Sequence, residues 1–338
     1  MADAHSPLPS GEGQSEGARV RRTAAVWLSP EELHRFTQAS DARGALSVIT
    51  SWLLIAAAFA LLAHFPANPA AWLVTLVILG GRQLALAILM HECAHQSLFA
   101  TPALNQLVGQ WLCAAPVWQR LGDYRTHHGK HHARTSLADD PDLALASAYP
   151  TTRASLARKL VRDVSGVAFL RRVVALLLMD AGVITYTAST GATRVEPRPS
   201  AGQVLRALAR NLGPVLLTNA LLAFVLFASG HLWLYGAWVL AWATAFSVFV
   251  RIRSIAEHGM TETSTDPLRN TRTTRAHLLA RLTVAPHHVN YHLEHHLLPK
   301  VPHYRLPALH RVLRQRGAYA DATQAAGYLE VLRLAVSR

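Results

Sequence analysis

Four long apolar stretches constrain the fold of this chain more than any other feature. They cover residues 45–65, 70–90, 212–232 and 233–252 of the 338-residue sequence. Each is close to the ~20 residues that an α-helix needs to cross the hydrocarbon core of a bilayer. Charged residues make up only 16% of the chain, whereas soluble domains contain about 25%. The sequence therefore predicts an all-α integral membrane protein with four transmembrane helices in two hairpins.

The distribution of basic residues predicts the orientation of these helices. The short connections inside the two hairpins, 64–69 and 228–232, contain no Lys or Arg. Nearly all of the 33 Lys and Arg residues therefore lie in the N-terminal, middle and C-terminal segments, which the positive-inside rule places in the cytoplasm. We expect cytoplasmic termini and basic contacts with anionic lipid head groups or an acidic protein partner. The formal net charge of +13 then needs no nucleic-acid partner, and we expect none.

The N-terminal segment and the rest of the chain differ in composition. Residues 1–26 are polar and rich in Ser and Gly, and they lack the apolar core of a signal peptide. We predict a disordered tail there and a single domain over residues 27–338. At the boundary, Ser29 and Glu32 have the spacing of a capping box, which predicts a short surface helix.

Residues 164–188 form a further apolar segment, which contains Arg171, Arg172 and Asp180. If this segment crossed the membrane, the histidine motifs before and after it would lie on opposite faces. We therefore predict an interfacial or re-entrant helix instead of a fifth span.

The 19 histidines of the chain are concentrated in a few short motifs. HECAH (91–95) follows the second apolar stretch, HHGKHH (127–132) lies in the middle segment, and AEHG and NYHLEHH follow the fourth stretch. Residues at positions i, i+3 and i+4 share one face of a helix, so each motif can present its histidines together. The candidate ligands are His91, His95, His128, His131, His132, His258, His292, His295 and His296. One zinc ion takes four protein ligands at most, so nine candidates predict two metal ions.

HECAH taken alone also fits HExxH, the zinc motif of metalloproteases in which Glu92 would be the general base. Such an enzyme needs a third ligand, but residues 212–252 contain no Asp or Glu, and the two HxxHH motifs would have no role. A metal-storage or transport protein would instead place its histidines along a path through the membrane. His127 is an alternative to His128, whereas His287 and His288 are expected outside the ligand set. Glu92 and Glu294 stand beside ligands and are candidates for orienting them.

Together, HECAHQSLF, YRTHHGKHH followed by DDPD, AEHG and NYHLEHHLLP resemble the membrane fatty acid desaturase superfamily, which is marked by the boxes HxxxH, HxxHH and HxxHH. The resemblance implies four membrane helices beneath a cytoplasmic helical cap in which the nine histidines hold two irons. It implies an oxidoreductase that uses O2 to insert a double bond into the acyl chain of a lipid. It adds no catalytic residue beyond the metal ligands.

The same resemblance leaves the substrate and the outcome of the reaction open. A di-iron hydroxylase or ketolase acting on a carotenoid or another lipid would share the first hydrogen abstraction, and specialised members of the superfamily act on small metabolites. The chain has only two Cys and no HPGG-type haem-binding segment, so electrons must come from an external ferredoxin or cytochrome b5 with its reductase. The Ala- and Arg-rich composition favours a bacterial inner membrane.

Three details of the resemblance concern single positions. The aspartates Asp139, Asp140 and Asp142 match the DPD signature and are predicted to form a turn and cap a helix. Ser254 stands where some acyl-CoA members have an asparagine that completes the metal site through water. Arg82, in the second apolar stretch, is expected either to face the protein interior near the acyl tunnel or to snorkel to the interface.

Overall fold

The computed structural model describes residues 23–337, which fold mainly into helices, as predicted for an all-α membrane protein. The α-helices are α1 Pro30–Thr37, α2 Asp41–His64, α3 Pro69–Ala94, α4 Pro102–Val108, α5 Leu121–Arg134, α6 Leu143–Ala146, α7 Arg153–Val164, α8 Val167–Asp180, α9 Ala201–Ala228, α10 Leu234–Ala243, α11 Ala245–His258, α12 Pro267–Asn270, α13 Leu278–Leu282, α14 His292–Leu297, α15 Leu306–Gln315 and α16 Tyr328–Leu334. A π-helix, Gly109–Ala114, follows α4. Short 3₁₀ helices lie at Ala24–Val26, Ala115–Val117, Pro286–His288 and His303–Arg305.

Within residues 23–337, four helical segments are long and apolar enough to cross a membrane: Asp41–His64, Pro69–Ala94, Ala201–Ala228 and Leu234–His258. They confirm the four predicted spans in number and order. The third helix begins at Ala201 instead of residue 212, because Ser200 and Gln203 form a capping box ahead of its polar first turns. The fourth segment consists of α10 and α11, which meet at Thr244, where the backbone leaves helical geometry.

The apolar segment 164–188 does not form a fifth long helix. It contains α8, whose 14 residues span about 21 Å, less than the ~30 Å of a hydrocarbon core. An antiparallel hairpin that the sequence did not predict follows α8, with β1 Ile184–Thr187 paired to β2 Gly191–Arg194. A second small sheet pairs β3 Thr273–Thr274 with β4 Gln324–Ala325 in parallel. Two of the charges of α8 have partners inside the protein, since Arg172 donates to Ser247 Oγ and Asp180 accepts from Arg120.

Helix α3 is the centre of the bundle. Within its apolar window 67% of the residues are buried, compared with 17% for α9. Gly81 allows α3 to lie this close to the backbone at Leu282, because a Cβ at position 81 would be only 2.1 Å from the carbonyl oxygen of Leu282. Arg82 is buried and donates to the same carbonyl oxygen at 3.0 Å, so it does not snorkel.

The beginning of the described chain packs against the end of the chain. Of the predicted tail 1–26, residues 1–22 lie outside the described residues. The prediction is wrong for its last residues, because Ala24–Val26 form a 3₁₀ helix and Ala24 is buried against apolar residues of α15 and its surroundings. The predicted surface helix is confirmed as α1, with Ser29 and Glu32 in a complete capping box.

Candidate metal centre

The end of α3 supplies the first two candidate ligands. His91 lies in the last turn of the helix, and His95 is its C-terminal cap. The i, i+4 spacing brings their rings to 4.8 Å between centroids. Cys93, between them, is fully buried in an apolar cluster with Leu89 and is a packing residue.

Three other elements bring the remaining histidines to the same place. Helix α5 carries one HxxHH motif and α14 carries the other, each with three histidines on one face. Helix α11 ends at His258, so the fourth membrane segment delivers its last residue to the site. The structure therefore brings all nine predicted ligands together from four separate stretches of chain.

The nine histidines form two adjoining groups. The first histidine group comprises His91, His95, His128, His132 and His295, whose ligand atoms lie within 4.8 Å of one another. The second comprises His131, His258 and His296, within the same distance, and His292, whose Nε2 is 2.8 Å from His258 Nε2. The rings of His132 and His296 stack with centroids 4.1 Å apart, so the two groups share a border.

The chemistry of these nitrogen atoms fits bound cations. His132 Nε2 lies 3.0 Å from Nε2 of both His128 and His295, and one proton cannot satisfy three such atoms. Nε2 of His91, His95 and His296 is buried without a hydrogen-bond partner in the described part of the chain. Unpaired buried polar atoms are costly, whereas metal ions bound in the two groups would coordinate these lone pairs.

Burial also favours the ligating, neutral form of several of these imidazoles. Desolvation, followed by the neighbouring imidazoles, lowers the pKa of His95 to about 3. The same causes lower the pKa of His128, His132 and His295. Because these pKa values lie far below neutral pH, the rings are uncharged at neutral pH. Each ring then has one nitrogen lone pair available to a metal.

Residues outside the two groups orient the second group. Asp140 Oδ1 lies 2.9 Å from His131 Nδ1 and also accepts from the backbone N–H of Asp142. The aspartate turn was predicted, but its contact with a ligand was not. His258 Nδ1 lies 3.3 Å from the carbonyl oxygen of Asn270, and Glu257 Oε1 lies 3.5 Å from His292 Nδ1. Such partners fix the orientation of metal-binding imidazoles.

Other histidines named in the sequence analysis lie elsewhere. His127 Nε2 contacts Asp142 Oδ1 at 2.9 Å and belongs to neither group. His287 Nε2 contacts Ser51 Oγ at 2.9 Å, and His288 also lies outside both groups, as expected.

The two glutamates differ in what they orient. Glu92 Oε1 lies 3.3 Å from His91 Nδ1, and its other oxygen accepts from the backbone N–H of His303 at 2.8 Å. Glu294 instead accepts from His310 Nδ1 at 2.5 Å and from the hydroxyl of Tyr319. The carboxylate of Glu294 thus supports α14 from behind and contacts no candidate ligand.

The chain is similar to known proteins over the region that contains the histidine motifs. The model of the fatty acid desaturase family matches residues 67–328. The chain belongs to this family. It is also 26% identical over 268 residues to the dihydrorhizobitoxine desaturase of Bradyrhizobium elkanii, an alignment that covers 77% of this chain and 73% of that protein. The chain is therefore a desaturase-type oxidoreductase of the membrane.

A cavity of about 690 Å³ in this desaturase reaches the histidines between α5 and α8, and we call it the cap cavity. The residues that line it include His128 of the first group and His131, His258 and His292 of the second. Apolar side chains of α8, such as Leu176 and Met179, form part of its wall. Arg253 and Glu257 also line it, and neither belongs to a histidine motif. The sequence does contain a signal for these two residues, because charged residues at the end of an otherwise apolar span are rarely without a function.

Proposed function

We propose that this protein is an O2-dependent desaturase whose nine histidines hold two iron ions. The observation that carries this proposal is the pair of adjoining groups of buried and partly buried imidazoles. Imidazole suits iron, and the number of nitrogen donors exceeds what one zinc ion takes. Two irons bound there would supply the reductive activation of O2 that removal of hydrogen from an unactivated C–H bond requires.

The protein's own residues would hold and shield this centre. Asp140 would keep Nδ1 of His131 protonated and direct Nε2 at the metal, because the carboxylate accepts from Nδ1. The cap cavity would admit the substrate at the second group, since three of the four histidines of that group line it. Of the remaining ligands, His91, His295 and His296 are buried, which limits access of bulk water to them.

For the substrate, the first candidate is the acyl chain of a lipid, as predicted from the sequence. The support for this candidate is the family together with four helices suited to a bilayer. A small metabolite is the second candidate. It is favoured by the relative, whose name gives dihydrorhizobitoxine as its substrate, and by a cavity that opens in the cap among polar residues.

We further propose that the cap and both termini face the cytoplasm of a bacterial cell, with residues 27–338 working as one domain. The loops Phe65–Asn68 and Ser229–Trp233 carry no Lys or Arg, whereas Lys130, Arg134 and Lys300 are exposed on the cap. An acidic ferredoxin or cytochrome b5 would dock on this basic surface. The rate with limiting donor should then fall as ionic strength rises, and a salt-independent rate would contradict donor docking by charge.

The test of the proposed function compares extracts of a bacterial host that expresses the chain or its His131→Ala variant. His34→Ala, a change on the surface helix α1, is the control. Mass spectrometry of lipids and small metabolites should show a product lacking two hydrogens with the wild-type and control chains only. A product that gains an oxygen atom would indicate a hydroxylase. Zinc alone in the purified protein, with peptide cleavage lost in Glu92→Gln, would support the HExxH protease interpretation.

A further inference from the structure

The cap cavity is charged at the place where an acyl chain would react. Three arginines line it, Arg171, Arg172 and Arg253, and so do the carboxylates of Asp123, Asp142 and Glu257. A methylene chain gains nothing from such groups, and burying it against them removes them from water. The partners of each charge therefore indicate which ligand the cavity suits.

All three carboxylates already have basic partners. Asp123 pairs with Arg120, and Asp142 Oδ1 lies 2.9 Å from His127 Nε2. Glu257 Oε1 accepts from Arg253 Nε at 2.6 Å. The acidic groups of the lining are thus engaged and are not available to bind a cationic ligand.

The arginines are less completely satisfied. Arg172 donates to Ser247 Oγ and packs on the rings of Trp242 and Phe246. Arg253 uses only Nε for Glu257, and its two terminal amino groups have no hydrogen-bond acceptor among residues 23–337. The Arg253 side chain is 17% exposed, and it lines the cap cavity. Its planar pair of amino groups is therefore available to a ligand there.

A second donor lies nearby. Tyr124 also lines the cap cavity, and its ring stacks on His128 at 5.1 Å between centroids. The structure records no partner for the Tyr124 hydroxyl within residues 23–337. A hydroxyl without a partner and the two free amino groups of a guanidinium, beside the same cavity, are suited to an anionic group.

Arg253 lies close to the candidate metal centre. Glu257 Oε1 is 2.6 Å from Arg253 Nε and 3.5 Å from His292 Nδ1, so one carboxylate oxygen connects the guanidinium to a histidine of the second group. A ligand held by Arg253 would have its reacting carbon only a few bonds from the anionic group. An acyl chain esterified to a phospholipid carries no anionic group at such a position.

On the basis of the proposed function, we propose that the substrate is a short molecule with an unesterified carboxylate, which Arg253 binds through its terminal amino groups and Tyr124 through its hydroxyl. The paired N–H groups of arginine match the two oxygens of a carboxylate. Arg253 and Tyr124 are then substrate-binding residues, and the cap cavity discriminates free acids from esters and amides.

The test measures binding without turnover. The iron-loaded full chain in detergent, kept anaerobic and without reductant, is titrated with hexanoate and with hexanamide by ligand-observed NMR. Wild type should bind hexanoate at least about tenfold more tightly, since hydrogen bonds to charged groups contribute about 1.5–3 kcal/mol. Arg253→Gln should lose this preference, and Tyr124→Phe should weaken hexanoate binding about threefold to tenfold. Equal affinities in wild type, or a preference that survives in Arg253→Gln, would overturn the proposal.

The matched control is Arg251→Gln. Arg251 lies two residues away on α11 and also pairs with a buried carboxylate, Asp163, but it does not line the cap cavity. It should therefore keep the preference for hexanoate. If Arg253→Gln does not fold, the double variant Arg253→Gln/Glu257→Gln removes both charges of the pair and should still show equal affinities. A preference retained by that double variant would contradict the proposal.

A turnover assay separates this inference from the proposed function. Reductant, O2 and a donor protein are supplied with either phospholipid vesicles or short carboxylates. Equal desaturation of phospholipid acyl chains by wild type and Arg253→Gln would overturn the carboxylate substrate and leave the desaturase standing. Selective binding of hexanoate that depends on Arg253, without any substrate losing hydrogen, would support the carboxylate site and count against the desaturase.

Discussion

The two histidine groups share helices α5 and α14 but differ in their surroundings. Four of the five histidines in the first group, all except His128, do not line the cap cavity, whereas three of the four in the second group do. In the second group, Asp140 and the carbonyl oxygen of Asn270 contact the outer nitrogens of His131 and His258, and Glu257 Oε1 lies 3.5 Å from His292 Nδ1. In the first group, the corresponding support among the described residues is Glu92.

This difference suggests a division of labour between the groups. The group that faces the cavity has to keep its geometry while substrates enter and leave, so its imidazoles need partners of their own. The first group lies mostly away from the cap cavity and is fixed by the packing of α3 against α5 and the π-helix that follows α4. Iron binding in the second group should therefore depend most on the carboxylates, and iron binding in the first group should depend most on packing.

The largest expected effect comes from removing one ligand in either group. His95→Ala and His131→Ala should each leave about one iron per chain instead of about two, because each change disrupts one group. Activity should fall by more than about 100-fold in both variants, since loss of an outer partner alone costs about 10- to 100-fold. Elemental analysis of purified protein measures the iron. Complete loss of iron from a single variant would mean that the groups do not bind independently.

The next largest effect distinguishes the groups by their carboxylates. Asp140→Asn keeps an acceptor for the turn but weakens the charged contact with His131, so iron affinity of the second group should fall about 10- to 100-fold. Asp139→Asn is the control, because Asp139 pairs with Arg134 at the surface. A chelator titration should remove one iron early from Asp140→Asn only. Equal chelator resistance of both variants would contradict a supporting role for Asp140.

Packing of the first group can be tested at Gly109 in the π-helix. A Cβ at Gly109 would lie 2.6 Å from Cys93 Cβ, and Cys93 stands between His91 and His95 on α3. Gly109→Ala should cost about 1–3 kcal/mol of stability through overpacking and should loosen iron in the first group. Gly122→Ala, which has open space around it, should leave both properties nearly unchanged. Thermal unfolding and the same chelator titration measure the two effects, and a wild-type profile for Gly109→Ala would remove packing as the explanation.

The histidine motifs made most of the candidate site predictable. Spacing of i, i+3 and i+4 on a helix is a local property, so the sequence could identify which histidines share a face without any tertiary information. The four apolar stretches were equally clear, because composition within about 20 residues determines whether a helix can span. The ends of the spans were less accurate, since Ser200 starts its helix outside the apolar window.

Contacts between distant segments could not be read from the sequence. Asp140 was assigned to a turn correctly, but its approach to His131 depends on how the loop after α5 folds back. Two of the partners of Glu294, His310 and Tyr319, lie beyond the last histidine motif, so no local pattern indicates them. The β1–β2 hairpin was missed because residues 164–188 were read as one apolar segment.

Removing a hydrogen bond to Glu294 should have the smallest of these effects, and it should affect iron binding in both histidine groups equally. Its carboxylate is fully buried and accepts from Thr273, His310 and Tyr319. Helix α14, on which it lies, supplies histidines to both groups. Tyr319→Phe removes one of the three donors and should lower stability by about 1–2 kcal/mol, because a buried acceptor loses a partner.

Tyr186→Phe is the control for this change, because Tyr186 is exposed on β1 and no hydrogen bond of its hydroxyl is present in the described part of the chain. In the chelator titration of Tyr319→Phe, both irons should leave slightly earlier and in parallel, in contrast to Asp140→Asn. Earlier loss of only one iron would contradict this expectation. It would mean that α14 stabilises one histidine group and not the other.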